Sequence, residues 1–159
     1  MKAKWLVLAT TSVLLVMVLG VAIFQRAGAS GLRVTKVGIE PKPLDIYNPD
    51  SVTFIVKVVD ENNVSVTDQI DPASIVVEGW ITPYNTYYHK PPPEFTAIFD
   101  GTYIVQAIWS KIDHMQIAPD NPWNPVRVPL TISGALYDGR TWEGTGEAKV
   151  YIGMSPPHP

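Results

Sequence analysis

The chain has 159 residues with 15 acidic and 12 basic side chains, giving a formal net charge of −3 and no basic run. That balance argues against nucleic acid as a partner. There is no cysteine, which excludes disulfides, thiolate metal sites and lipidation on sulfur, while 15 prolines and 11 glycines point to short strands joined by turns.

Trp5 to Phe24 forms an uncharged run bounded by Lys2 and Lys4 before it and Arg26 after it. At about 1.5 Å per helical residue the run spans roughly 30 Å, the thickness of a bilayer's hydrocarbon core. Valine, leucine and isoleucine cover every face, which argues against a buried core helix. A retained anchor is the preferred reading, because the run exceeds the usual h-region of a signal peptide. Gln25 and Arg26 also separate it from the A-x-A match Ala27-Gly28-Ala29. The other reading is a signal cleaved after Ala29, which makes the protein secreted. In both cases Lys2 and Lys4 keep the amino terminus cytoplasmic and place residues from Ser30 onward outside the cell. The expected organisation is therefore an anchor or signal over 1–29, one domain over 30–153 and a free tail over 154–159.

Beyond the anchor about 130 residues remain, enough for one domain with a real core. Leu32 to Ile39 alternates apolar and polar residues, the mark of a half-buried strand. Val52 to Val59 is the strongest strand, with Val52, Phe54, Val56 and Val58 on one face. Asp60-Glu61-Asn62-Asn63 is a turn, Val64-Ser65-Val66 a short edge piece, and Ser74 to Trp80 a further strand. Pro83 to Pro93 has no alternation and reads as a long surface loop. Phe95 to Phe99 resumes a strand and ends at the Asp100-Gly101 turn. Over Tyr103 to Ile112 the apolar positions favour a short helix over a strand. Val126 to Leu136 is a strand whose Pro129 demotes one end to an edge or bulge. Asp138-Gly139 is a tight turn, and Thr141 to Ile152 closes the domain, with Ala148, Val150 and Ile152 on one face. About seven strands in this arrangement imply an all-β, immunoglobulin-like antiparallel β-sandwich with one short helix.

Four stretches carry a resemblance: Ile39-Glu40-Pro41, Asp71 to Gly79, Phe95 to Asp100, and Leu130 to Gly144. They resemble an immunoglobulin-like module of secreted and cell-surface prokaryotic proteins. In that module a strand I-D-x-x-S-I-x-L-N-G is followed by x-V-x-F-D, a helical turn, and L-T-V-x-G-x-L-x-D-G-x-x-F-x-G. The resemblance covers most of residues 37–152 and implies a structural or adhesive role. Many such modules carry an Asp-rich, calcium-type loop before the F-D strand. At that place this chain has Lys90-Pro91-Pro92-Pro93-Glu94, with no run of carboxylates, so no calcium site carries over.

No catalytic signature is present. The histidines His89, His114 and His158 stand in no metal-protease spacing, and they read as exposed loop residues rather than as ligands. Asp113-His114-Met115 offers a copper site only if His89 or Met154 comes near. Turn carboxylates such as Asp50, Asp60, Asp100, Asp120 and Asp138 read as caps on their own backbone. There is neither a nucleophile elbow nor a phosphate loop. The recognition candidates are Trp80, Tyr84, Tyr87 and Tyr88, with His89 beside them and Trp109 and Trp123 as extensions. Such rings offer flat faces and hydroxyls at low entropic cost, suited to a protein or polysaccharide partner. The opposing reading folds them back onto the sandwich. Asn63-Val64-Ser65 is an N-glycosylation sequon in an exposed turn.

The sequence thus leads to a non-catalytic, cofactor-free, membrane-anchored extracellular domain for adhesion, envelope structure or partner binding. One alternative is an accessory subunit of a membrane protein complex, with Thr10, Thr11 and Ser12 mediating helix contacts. Another is a self-assembling surface filament or lattice subunit.

Overall fold

The computed structural model describes residues 31–114 and 125–151. The chain divides into two units, Met1–Ser30 and Gly31–Pro159, and all described residues belong to the second. The Trp5–Phe24 run, the cleavage position at Ala29, Met115, Trp123, Ile152, Met154, His158 and the expected tail lie outside them. Among the described residues no helix is long and apolar enough to cross a membrane.

Seven strands and one helix make up the described domain. The strands are β1 (Arg33–Glu40), β2 (Ser51–Val59), β3 (Val76–Val77), β4 (Asn85–His89), β5 (Glu94–Asp100), β6 (Val126–Ala135) and β7 (Thr141–Val150), with α1 (Gly101–His114) between β5 and β6. They form two antiparallel sheets, one in the order β1-β2-β5-β4 and the other β3-β6-β7. The arrangement is that of a β-sandwich.

The alternation in β2 carries through to the core, where Val52, Phe54, Val56 and Val58 are all buried. Their register partners Phe95, Ala97 and Phe99 on β5 are buried too. Phe54 and Phe99 meet edge to face at 5.2 Å between ring centroids, a favoured aromatic geometry. Leu130, Ile132, Ala148 and Val150 contribute from the second sheet. Each fully buried Val, Leu, Ile or Phe side chain among them stabilises the fold by about 1.5–3 kcal/mol relative to exposure. The α1 segment is helical as its spacing predicts. Ile104, Val105, Ile108 and Ile112 lie on its buried stripe, and Gln106 and His114 are exposed.

The first strand serves both sheets. β1 pairs with β2, and beyond it Leu44 forms a parallel bridge to Val150, with its N–H donating to the Lys149 carbonyl at 2.8 Å. The passage is tight: a Cβ on Gly146 would lie 2.7 Å from Val37 Cγ1. On the β2–β3 connection the buried Thr67 hydroxyl accepts from the Val58 N–H at 3.0 Å and donates to the Val58 carbonyl at 3.1 Å. One side chain there does the work of a neighbouring strand.

Two sequence expectations need correction. The Ser74 to Trp80 strand shrinks to Val76–Val77, because Asp71 caps a 3-10 turn over Pro72–Ser74 and the backbone turns left-handed at Glu78 (φ 52°) and Gly79 (φ 76°). The supposed loop from Pro83 to Pro93 contains strand β4. Its Asn-Thr-Tyr-Tyr-His sequence lacks alternation because β4 is an edge strand, and four of its five residues are exposed. Pro129 behaves as expected of a demoted end. It pairs with Glu147 of β7 on one side, while β3 covers β6 only at Ile132 and Ser133 on the other.

Candidate functional site

The order of the strands decides where the polar and aromatic side chains gather. Arg33, at the start of β1, lies opposite Val59, whereas Ser51, at the start of β2, lies opposite Asp100 at the end of β5. The chain therefore enters this sheet at one end, and Asp50, Ser51 and Asp100 sit at the other. The two segments are pressed together there. Gly101 approaches Asp50 so closely that a Cβ at 101 would lie 1.9 Å from the Asp50 carbonyl oxygen and 3.1 Å from Pro49 Cβ. The Asp100 carboxylate accepts from the Thr102 N–H at 2.8 Å and so opens α1.

Tyr84 stands between two surface grooves. Its backbone N–H donates to the Ile98 carbonyl at 3.0 Å, which fixes it beside β5, while its side chain is 65% exposed. On one side lies a groove of about 230 Å³ lined by Pro49, Asp50, Ser51, Asp100 and Tyr84. On the other a groove of about 400 Å³ runs between Pro72, Ala73 and Ile75 and the facing segment Thr82 to Thr86. Among the described residues no lysine or arginine lines either groove.

The other aromatic candidates do not join Tyr84 in these grooves. Trp80, 51% exposed in the turn after β3, packs edge to face on Tyr103 of α1 at 6.1 Å. Tyr87 and His89 alternate on the outer face of β4, with ring centroids 4.8 Å apart. Tyr88 points the other way, opposite the buried Phe95, and keeps 37% of its surface exposed. All four tyrosine and tryptophan candidates thus remain substantially in solvent, and the rings are spread over three places rather than one patch. Trp109 is half-buried against the core.

Sequence reasoning missed Tyr103, Asp50 and Asp100 as neighbours of the recognition candidates. Asp50 and Asp100 were legible only as turn carboxylates, and their approach depends on the pairing of β2 with β5. Several turn aspartates do cap backbone. Asp60 accepts from Asn62 and Val64, Asp71 from Ala73, and Asp138 from the Arg140 N–H at 3.0 Å and the Arg140 Nε at 2.7 Å. The Arg140 backbone N–H first, and then its side chain, hold the Asp138 carboxyl below the usual carboxylate range.

Asn63 is exposed in a left-handed conformation (φ 62°), and its side-chain carbonyl accepts a short hydrogen bond from the Arg33 guanidinium. The sequon hydroxyl of Ser65 donates to Thr67 Oγ1 at 3.1 Å. His114 is exposed at the end of α1 and His89 on β4. Among the described residues no three His, Asp or Glu side chains stand together as a metal-binding group. Comparison with protein-family models, with curated proteins and with solved structures finds no match to this chain.

Proposed function

We propose that the chain is a non-catalytic recognition domain of immunoglobulin-like fold, anchored by Trp5–Phe24 and facing outside the cell, where it serves adhesion, envelope structure or partner binding. The strand orders β1-β2-β5-β4 and β3-β6-β7 correspond to the ABED and CFG sheets of a constant-type immunoglobulin sandwich. The observation that carries the recognition role is the exposure of Trp80, Tyr84, Tyr87 and Tyr88, each at least 37% in solvent, at three places on the domain surface. Rigid aromatic side chains left in solvent are characteristic of binding surfaces.

Protease treatment of intact cells expressing the full chain with a carboxy-terminal epitope tests the topology. Release of a fragment carrying residues 30–159 is the expected result, and an epitope protected until the cells are lysed overturns it. The mass of the undigested protein separates the two amino-terminal readings. A membrane-bound full-length chain marks the anchor, and a shortened chain in the medium marks cleavage after Ala29.

The self-assembling alternative draws support from one feature, the uncharged edge strand β4. An edge of this kind offers unpaired backbone groups to a second copy.

A further inference from the structure

We propose that the two grooves flanking Tyr84 bind a neutral oligosaccharide, with Tyr84 as the platform between adjacent sugar rings. The inference rests on the recognition role proposed above and gives it a ligand class.

The chemistry of the lining selects the ligand. The larger groove, about 400 Å³, lies within the range of about 300–1,000 Å³ typical of small-molecule sites. Its walls offer apolar patches from Pro72, Ala73 and Pro83 beside the hydroxyls and amide of Thr82, Asn85 and Thr86. The smaller groove adds the carboxylates of Asp50 and Asp100 and the hydroxyl of Ser51. An anionic ligand is disfavoured, because both ionic groups are negative and, among the described residues, no lysine or arginine lines either groove. A purely apolar ligand would desolvate the Asp50 carboxylate without offering it a donor. The ligand that fits must present several O–H donors around its rim and an apolar face to an aromatic ring. A pyranose ring has both. Two grooves sharing one exposed tyrosine call for an extended chain of such rings rather than a single one.

The site is also built to persist without its ligand. The Tyr84 N–H is tied to β5, and the close approach of Gly101 to the Asp50 carbonyl fixes the two carboxylate-bearing segments against each other. Both grooves include residues at the end of the first sheet away from Arg33.

The test uses the full chain in detergent micelles, immobilised and presented with neutral hexasaccharides of β-1,4-linked glucose, mannose, xylose and N-acetylglucosamine. Hexagalacturonate and hexalysine serve as the charged comparisons. At least one neutral hexasaccharide is expected to bind, with an affinity that changes less than about twofold between 50 and 500 mM salt. Tyr84→Ala is expected to weaken that binding about tenfold or more, Tyr84→Phe to retain most of it, and Asp50→Asn to weaken it about threefold or more. Tyr84 is exposed, so its variants should melt with the parent protein. Three results overturn the proposal: no neutral hexasaccharide bound, binding indifferent to Tyr84→Ala, or preferential and salt-sensitive binding of hexalysine or hexagalacturonate. A chain that is released by surface proteolysis but binds no sugar overturns this site alone and leaves the recognition role standing.

Discussion

Gly101 shows how one residue without a side chain can hold a site together. Its α-carbon lies so near the Asp50 carbonyl that a methyl group there would sit 1.9 Å from the oxygen, far inside van der Waals contact. The obstacle is backbone, which cannot rotate away as a side chain would. Gly101→Ala should therefore cost more than about 3 kcal/mol in urea denaturation, at the severe end for a point substitution. A cost under about 1 kcal/mol would mean that the segments yield easily. Asp138 acts at the same scale through charge. Its folded-state pKa is depressed, so its contribution to stability is present above the unfolded value of about 3.9 and disappears as pH falls below it. Melting curves of Asp138→Asn and the parent protein should differ at neutral pH and converge as the pH falls through the lowered folded-state pKa. A gap that widened on acidification would reverse the assigned sign.

At the scale of elements, the corner after β3 is stitched by a carboxylate that takes the place of a strand carbonyl. The Glu78 N–H donates to the Thr131 carbonyl at 2.9 Å, and its side chain accepts from the Thr131 N–H at 2.7 Å and from Lys111 of α1 at 2.8 Å. Glu78 thereby continues the ladder to β6 although its own backbone has turned left-handed. Glu78→Ala should cost about 1–3 kcal/mol, because it strands a half-buried donor. Lys111→Met should cost under about 1 kcal/mol, since that pair is partly in water. Equal costs in denaturant titrations would mean that the ion pair, and not the strand mimicry, matters. This corner also marks the limit of legibility. β2, β6, β7 and α1 announce themselves through periodicity, because one face of each meets the core. β3 was overread, since branched residues continue past Val77 while the backbone does not. β4 was missed, since a strand exposed on both faces has no alternation to display. Tyr84 and its neighbouring tyrosines were legible as exposed aromatics. The meeting of Asp50 with Asp100 was not, because distant strands must pair before it exists.

Among the described residues the domain has one closed flank and one open flank. On the closed side β1 packs over Gly144 and Gly146 of β7, and Leu44 carries the chain across to the second sheet. On the open side β3 and β4 end the two sheets, and β4 has no Asp, Glu, Lys or Arg from Asn85 to His89. Charge and proline, the usual guards of a sheet edge, stand only beside it, in Pro83 and in Lys90 to Pro93. β1 and β7 differ, carrying Arg33, Lys36 and Glu40 in one case and Glu143, Glu147 and Lys149 in the other. Association between copies should therefore begin at β4. Tyr87 lies on the outer face of this strand, half in solvent, so Tyr87→Lys adds a guard without opening the core. Light scattering of the full chain in micelles across pH 4.5–7.5 is expected to fall several-fold in the variant, with the melting temperature within about 2 °C of the parent. Undiminished scattering would place the self-association elsewhere, and a β4 that stays monomeric at every pH would leave this edge to partners other than a second copy.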